Sequence, residues 1–192
     1  ALRLFARDGY EAVSVSRIAG ELGITKGALY KHYKNKRDIF DSILNRMEQH
    51  DAEHAKAFEL PEGKLDEMKE EYDRASLDQI VKYSKAQLRY WTEDDFASLF
   101  RKLLTLEQYR SEEMGKLYHQ HLGAGPLEYV TDLLAAMGLA DPQLAAAEFY
   151  GPMYMFYSIY DASDNKSIVF ALADSHFDKM RDEFAGRVFH DE

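Results

Sequence analysis

From end to end, the apolar residues of this chain recur at steps of three and four and almost nowhere in alternation. Only four prolines interrupt the pattern, and no stretch is enriched in alternating β-branched residues. Chains with that period bury their apolar stripes by packing helix on helix. The fold class is therefore all-α. At 192 residues and 46% hydrophobic content, there is enough material for one core or for a small domain joined to a larger one.

Helix signals divide the chain unevenly. Leu2, Phe5 and Ala6 open a first helix that Gly9 can close. Ser14 caps a second, which carries Ile18, Ala19 and Leu22 and stops at Gly23. Thr25 caps a third, short one. Asn35 caps a fourth, which runs through Ile39, Phe40, Ile43, Leu44 and Met47 towards His54. Beyond Pro61 and Gly63 the spacing predicts longer helices over about 65–91, 95–121, 126–137, 142–160 and 167–189. Gly151–Pro152 interrupts the apolar fourth of these, where a proline removes one hydrogen bond and bends the helix. The chain opens at Ala1 inside a helical pattern, so a missing N-terminal piece is an expectation of this reading.

Charge follows the same division. Residues 1–47 hold nine Lys and Arg against five Asp and Glu, a local +4 on a chain of net charge −10. A small basic segment on an acidic chain suits a polyanionic partner. No cysteine is present, so disulfides and thiolate metal sites are excluded, and a reducing cytoplasm is the natural compartment. No long apolar run could span a bilayer, so no membrane partner is expected.

Helix, glycine turn, helix is the geometry that lays a second helix in a DNA major groove. Leu22, Ile24, Leu29 and Tyr33 read as the inward stripe that seats this helix, leaving Thr25, Lys26, Gly27, Ala28, Lys31 and His32 outward. Gly27 costs about 1 kcal/mol of helix propensity, which makes sense where a side chain would collide with DNA. Lys36 and Arg37 begin the fourth helix against its dipole, which suggests that they serve phosphates.

These residues carry a resemblance. AVSVSRIAGELGITKGALYKHYKNKRDIFDSIL is similar to the N-terminal domain of the tetracycline-repressor (TetR) family of bacterial regulators. The likeness spans Gly9–Tyr10, Ser14, Ile18–Ala19, Leu22–Gly23–Ile24, Lys26–Gly27, Leu29–Tyr30, His32–Tyr33 and Asn35–Lys36, within residues 1–47. It implies a helix-turn-helix DNA-binding domain at 1–47 and a helical ligand-binding and dimerisation domain at 48–192. It also implies a homodimer bound to a double-stranded operator. On that footing Thr25, Lys26, Gly27, Ala28 and Lys31 face base edges or adjacent backbone. Tyr30, His32 and Lys36 bind phosphates, while Ser14, Ser16 and Arg17 touch the neighbouring backbone. The implied role is a repressor released by a small apolar or aromatic ligand. The alternative is a regulator without such a ligand, governed by a protein partner.

The acidic part is rich in aromatic residues with hydroxyl tips. Tyr83, Trp91, Phe100, Tyr109, Tyr118, Tyr129, Tyr150, Met153, Tyr154 and Tyr157 supply the apolar walls and few polar groups that a ligand pocket needs, or else ordinary core. Phe177, Met180, Phe184 and Val188 form an apolar stripe on the last helix, expected to pair with a second copy in a four-helix interface. His50 and His54 stand four apart, but no HExxH or third ligand accompanies them, so neither metal nor cofactor is expected. Nucleophile and phosphate-loop motifs are also lacking, which argues against an enzyme.

Overall fold

The computed structural model describes residues 1–61 and 63–188. Every regular element in them is a helix: α1 (Leu2–Asp8), α2 (Val15–Glu21), α3 (Lys26–Leu29), α4 (Lys36–Ala57), α5 (Lys69–Arg74), α6 (Leu77–Glu93), α7 (Asp95–Glu107), α8 (Glu112–Leu122), α9 (Ala124–Ala136), α10 (Pro142–Tyr150), α11 (Pro152–Ala162) and α12 (Lys166–Val188). Among the described residues no helix is long and apolar enough to cross a membrane.

Two expected long helices are each broken by a serine cap. The 65–91 segment stops at Ser76, whose hydroxyl accepts the Gln79 N–H while the Gln79 side chain accepts the Ser76 N–H at 2.9 Å. That reciprocal box starts α6 afresh. The 95–121 segment breaks at Ser111, whose hydroxyl accepts the Met114 N–H at 3.1 Å and opens α8. The expected break at Gly151–Pro152 separates α10 from α11. A Cβ at Gly151 would lie 2.5 Å from the Ala147 carbonyl oxygen, so only glycine fits this bend.

The chain forms two compact units, Ala1–Asp51 with Asp95–His119, and Ala52–Asp94 with the chain from Gln120 onward. The first unit thus takes in α7, which packs on α1, as well as the first 47 residues. Its interior holds Phe5, Val13, Ile18, Ala19, Leu29, Phe40, Met47, Phe100 and Leu103.

In the second unit α12 lies on α6, α10 and α11. Lys85 reaches Asp178 at 2.8 Å, and the Arg89 guanidinium sits 4.0 Å above the Phe170 ring. Here the expected partner surface is corrected. Phe177, Met180 and Phe184 are buried inside their own chain, with the Phe177 ring 5.0 Å from that of Phe149. The Val188 side chain lies outside the described residues. Their stripe fills the helical core because α12 must cover α6 and α10 first. The opposite face of α12 exposes Ile168 and Leu172, and α11 exposes Tyr154 and Met155.

Candidate nucleic-acid interface

Three short caps build the head. Ser14 Oγ accepts the Arg17 N–H at 3.2 Å, Thr25 Oγ1 the Ala28 N–H at 3.1 Å, and Asn35 Oδ1 the Asp38 N–H at 2.9 Å. Each such cap contributes about 1 kcal/mol, which matters for helices of seven and four residues. Gly23, at φ 66°, makes the left-handed turn between α2 and α3. Ile18, Ala19 and Leu29 are buried beneath these helices.

The inward stripe is only half as expected. Leu29 is buried and Tyr33 half-buried, but Leu22 and Ile24 are exposed. The turn at Gly23 lifts its two flanking side chains off the core.

Ser14, Ser16, Arg17, Thr25, Lys26, Gly27, Tyr30, Lys31 and His32 are all exposed, and Ala28 is half-buried. Lys26, its Nζ 5.5 Å from the Tyr30 ring centroid, and Lys31 make no ion pair among the described residues. Lys34 makes none either. Sequence reasoning passed over it, although its place beside Asn35–Lys36 was a signal. The other cations are engaged. Arg17 pairs with Asp8 at 2.8 Å, and Arg7 hydrogen-bonds the same carboxylate, which holds Asp8 below its usual range. Arg37 bridges Asp41 at 2.6 Å and Glu113 at 2.5 Å.

Lys36 departs most from its expected role. Its ammonium donates to the Tyr10 carbonyl at 2.9 Å, reaches Glu11 Oε2 at 3.2 Å, and stands 4.3 Å from the Tyr10 ring centroid. It is turned into the chain, where a phosphate ligand would point out. The exposed lysines of the head without an ion pair among the described residues are therefore Lys26, Lys31 and Lys34.

Gly27 is not required by the chain itself. A Cβ there would meet only Thr25 Oγ1, at 3.9 Å.

The expected ligand residues do not form one group. Phe100, Tyr109 and Tyr118 belong to the first unit and the rest to the second. Tyr109 is 92% exposed, so it lines nothing, and Tyr154 is exposed on α11. Trp91, Phe100 and Met153 are buried. Within the second unit the rings of His54, Phe58, Tyr83, Tyr90 and Tyr129 do meet. His54 lies 5.3 Å from Tyr90 and 5.5 Å from Tyr83, and Tyr83 lies 6.3 Å from Tyr129. The Tyr129 hydroxyl donates to the Pro61 carbonyl at 2.9 Å. Gln87 donates its amide to the Tyr83 hydroxyl at 2.5 Å, leaving its own buried carbonyl oxygen without a donor among the described residues. Burial pushes the Tyr150 phenol well above its ordinary range, and the neighbouring tyrosines Tyr157, Tyr154 and Tyr83 act in the same direction. Among the described residues no three His, Asp or Glu side chains gather as a metal site.

Comparison with known proteins bears on the head most directly. Residues 1–43 match the family model described as "Bacterial regulatory proteins, tetR family". An HTH-type transcriptional regulator of Staphylococcus aureus (strain USA300) is 29% identical over 107 residues, covering 51% of this chain. The match spans only 58% of that relative's length. Two solved structures share the fold at TM-score 0.60. One is a protein from Mesorhizobium loti described as a TetR-family transcriptional regulator, 17% identical over 93% of this chain and 90% of its own. The other is the fatty acid degradation regulator FadR from Bacillus halodurans, 18% identical over 94% of this chain and 90% of its own.

Proposed function

We propose that this chain, a transcriptional regulator of the bacterial TetR family by its residues 1–43, is a cytoplasmic homodimeric repressor. In this reading residues 1–47 hold an operator, and residues 48–192 bind a small apolar or aromatic ligand that releases it. The observation that carries the reading is the α3 segment. On a chain of net charge −10, a capped four-residue helix and the turn after it present Lys26, Lys31 and Lys34 exposed and without an ion pair among the described residues. Positive charge without internal partners is what phosphate neutralisation requires.

The ligand reading rests on the aromatic cluster of the second unit. Its rings offer apolar contact, and the buried Gln87 carbonyl oxygen, without a donor among the described residues, supports a ligand bearing a hydrogen-bond donor. Selecting genomic DNA fragments on the purified protein yields the operator. Titrating that complex with small aromatic amines and alcohols then tests the release. An effector is expected to weaken operator affinity by about 5- to 150-fold, the usual range of allosteric coupling. If none of a broad set does so, control by a protein partner becomes the better reading.

Gly27 supplies a separate check, because its two effects have opposite signs. Gly27→Ala is expected to stabilise the head by up to about 1 kcal/mol, since the added methyl has room and favours the helix. The same methyl is expected to weaken operator binding by standing between the backbone and DNA. Thermal denaturation and operator titration read the two effects. A variant that is both more stable and an equal binder would remove Gly27 from the interface.

A further inference from the structure

We infer that Glu107 and Lys36 are positioning residues that hold Tyr10 by both polar groups of its backbone, so that the helix-turn-helix meets DNA at one angle. This rests on the DNA-reading role of the head and adds a device that sets its orientation.

Glu107 is the last residue of α7 and carries a carboxylate that is only 3% exposed. Its Oε1 accepts the Tyr10 N–H at 3.3 Å and an Arg110 guanidinium N–H at 2.9 Å. A buried carboxylate with two donors is well supported, and one of those donors is the peptide that leads from α1 into α2. The carbonyl of the same residue accepts from Lys36 Nζ at 2.9 Å, on the first turn of α4. Between these two contacts the Tyr10 ring lies 5.1 Å from Phe5 and 5.1 Å from Phe40.

Gly9 shows how closely the parts approach. A Cβ there would stand 2.6 Å from Arg110 Nη1 and 2.7 Å from Glu107 Oε1, and its φ of 88° is one that side chains disfavour. The turn is thus pressed onto the Glu107–Arg110 pair. One further tie holds α4 to the same elbow of α7 and α8, Arg37 to Glu113 at 2.5 Å, while the Arg46 guanidinium stands 4.1 Å from the ring centroid of Phe96 at the other end of α7. A displacement at the end of α7 would therefore reach the start of α2 through Tyr10 without passing along the length of α4.

Operator titrations over a salt series on the full chain decide the matter, with Lys36→Met, Glu107→Gln, Glu107→Leu and Lys26→Ala compared. Lys36→Met is expected to weaken the specific operator about 5- to 50-fold while its salt slope and its binding to random DNA stay as in the parent, because no phosphate contact is lost. A slope reduced by about 0.9 for each copy, with random DNA weakened equally, would make Lys36 a phosphate ligand and overturn the proposal. Glu107→Gln keeps an acceptor for the Tyr10 N–H and is expected to bind within about threefold of the parent, whereas Glu107→Leu loses specific binding and exposes the Tyr10 amide to faster hydrogen exchange. Equal binding by both Glu107 variants would equally overturn it. Should Glu107→Leu fail to fold, Lys36→Met together with Glu107→Gln still decides. A parent that retains no DNA, or a Lys26→Ala variant indistinguishable from it, would instead count against the DNA reading of α3.

Discussion

Ile168→Glu combined with Leu172→Glu is expected to give a folded monomer that has lost its operator. Both side chains are exposed on α12, at 59% and 46%, one helical turn apart. Tyr154 and Met155 stand exposed on the adjoining α11. Exposed apolar side chains on two packed helices support pairing by a second copy, in a four-helix interface burying more than about 1,000 Å2. Twofold symmetry doubles any substitution, so four carboxylates would enter the interface, each costing several kcal/mol if buried unpaired. The helices themselves lose nothing, because these positions face away from the core. Without a partner, one head must hold DNA alone, and affinity is expected to fall on the order of 10²- to 10⁴-fold. Sedimentation at micromolar concentration, circular dichroism and operator titration together read the result. A double variant that still sediments at twice the chain mass would remove this face from the interface.

Phe177→Glu is the informative contrast. Its side chain is wholly buried, with rings of Phe149 and His176 at 5.0 and 5.2 Å. An uncompensated carboxylate there would take up much of a typical 5–15 kcal/mol of folding stability. The expected outcome is an unfolded chain, which differs plainly from a folded monomer. Sequence periodicity identified α12 as amphipathic but took its strongest stripe for the partner face. The strongest stripe belongs to the core. The weaker Ile168–Leu172 pair, offset from Phe170, Ala173 and Phe177, was equally visible in the chain.

What was legible depended on how local the cause was. The caps at Ser14, Thr25 and Asn35 and the turns at Gly9 and Gly23 need only neighbouring residues, and each stands where the residue types pointed. The capping box at Ser76 was equally local and was overlooked inside a long periodic run. The role of Lys36 was not legible at all. Its partner is a backbone carbonyl 26 residues away, placed there by the packing of α1 on α7. Nothing in the composition of either segment records that approach. The aromatic residues behave alike: their number is plain in the chain, but Tyr109 and Tyr83 differ only in tertiary surroundings, one in open solvent and one among rings.

Lys26→Ala is expected to cost the operator its discrimination more than its grip. Lys26 begins α3 just after the Thr25 cap and has no carboxylate partner among the described residues. An exposed ammonium at the N-terminal end of a recognition helix can reach guanine O6 and N7 in the major groove. Losing one such contact costs about 1–3 kcal/mol at particular base pairs, and a dimer loses two. Random DNA, held by phosphate contacts, should weaken far less. Lys34→Ala should behave in the opposite way, since its exposed ammonium follows the recognition segment and is suited to backbone phosphate. It should weaken all sequences alike and reduce the salt slope by about 0.9 for each copy. Titrating both variants against the operator, single-base variants of it and random DNA at several salt concentrations separates the two roles. If Lys26→Ala weakened all three DNAs equally and flattened the salt slope, Lys26 would be a phosphate ligand, and sequence reading would have to pass to other exposed residues of the segment, with Thr25 and Lys31 first.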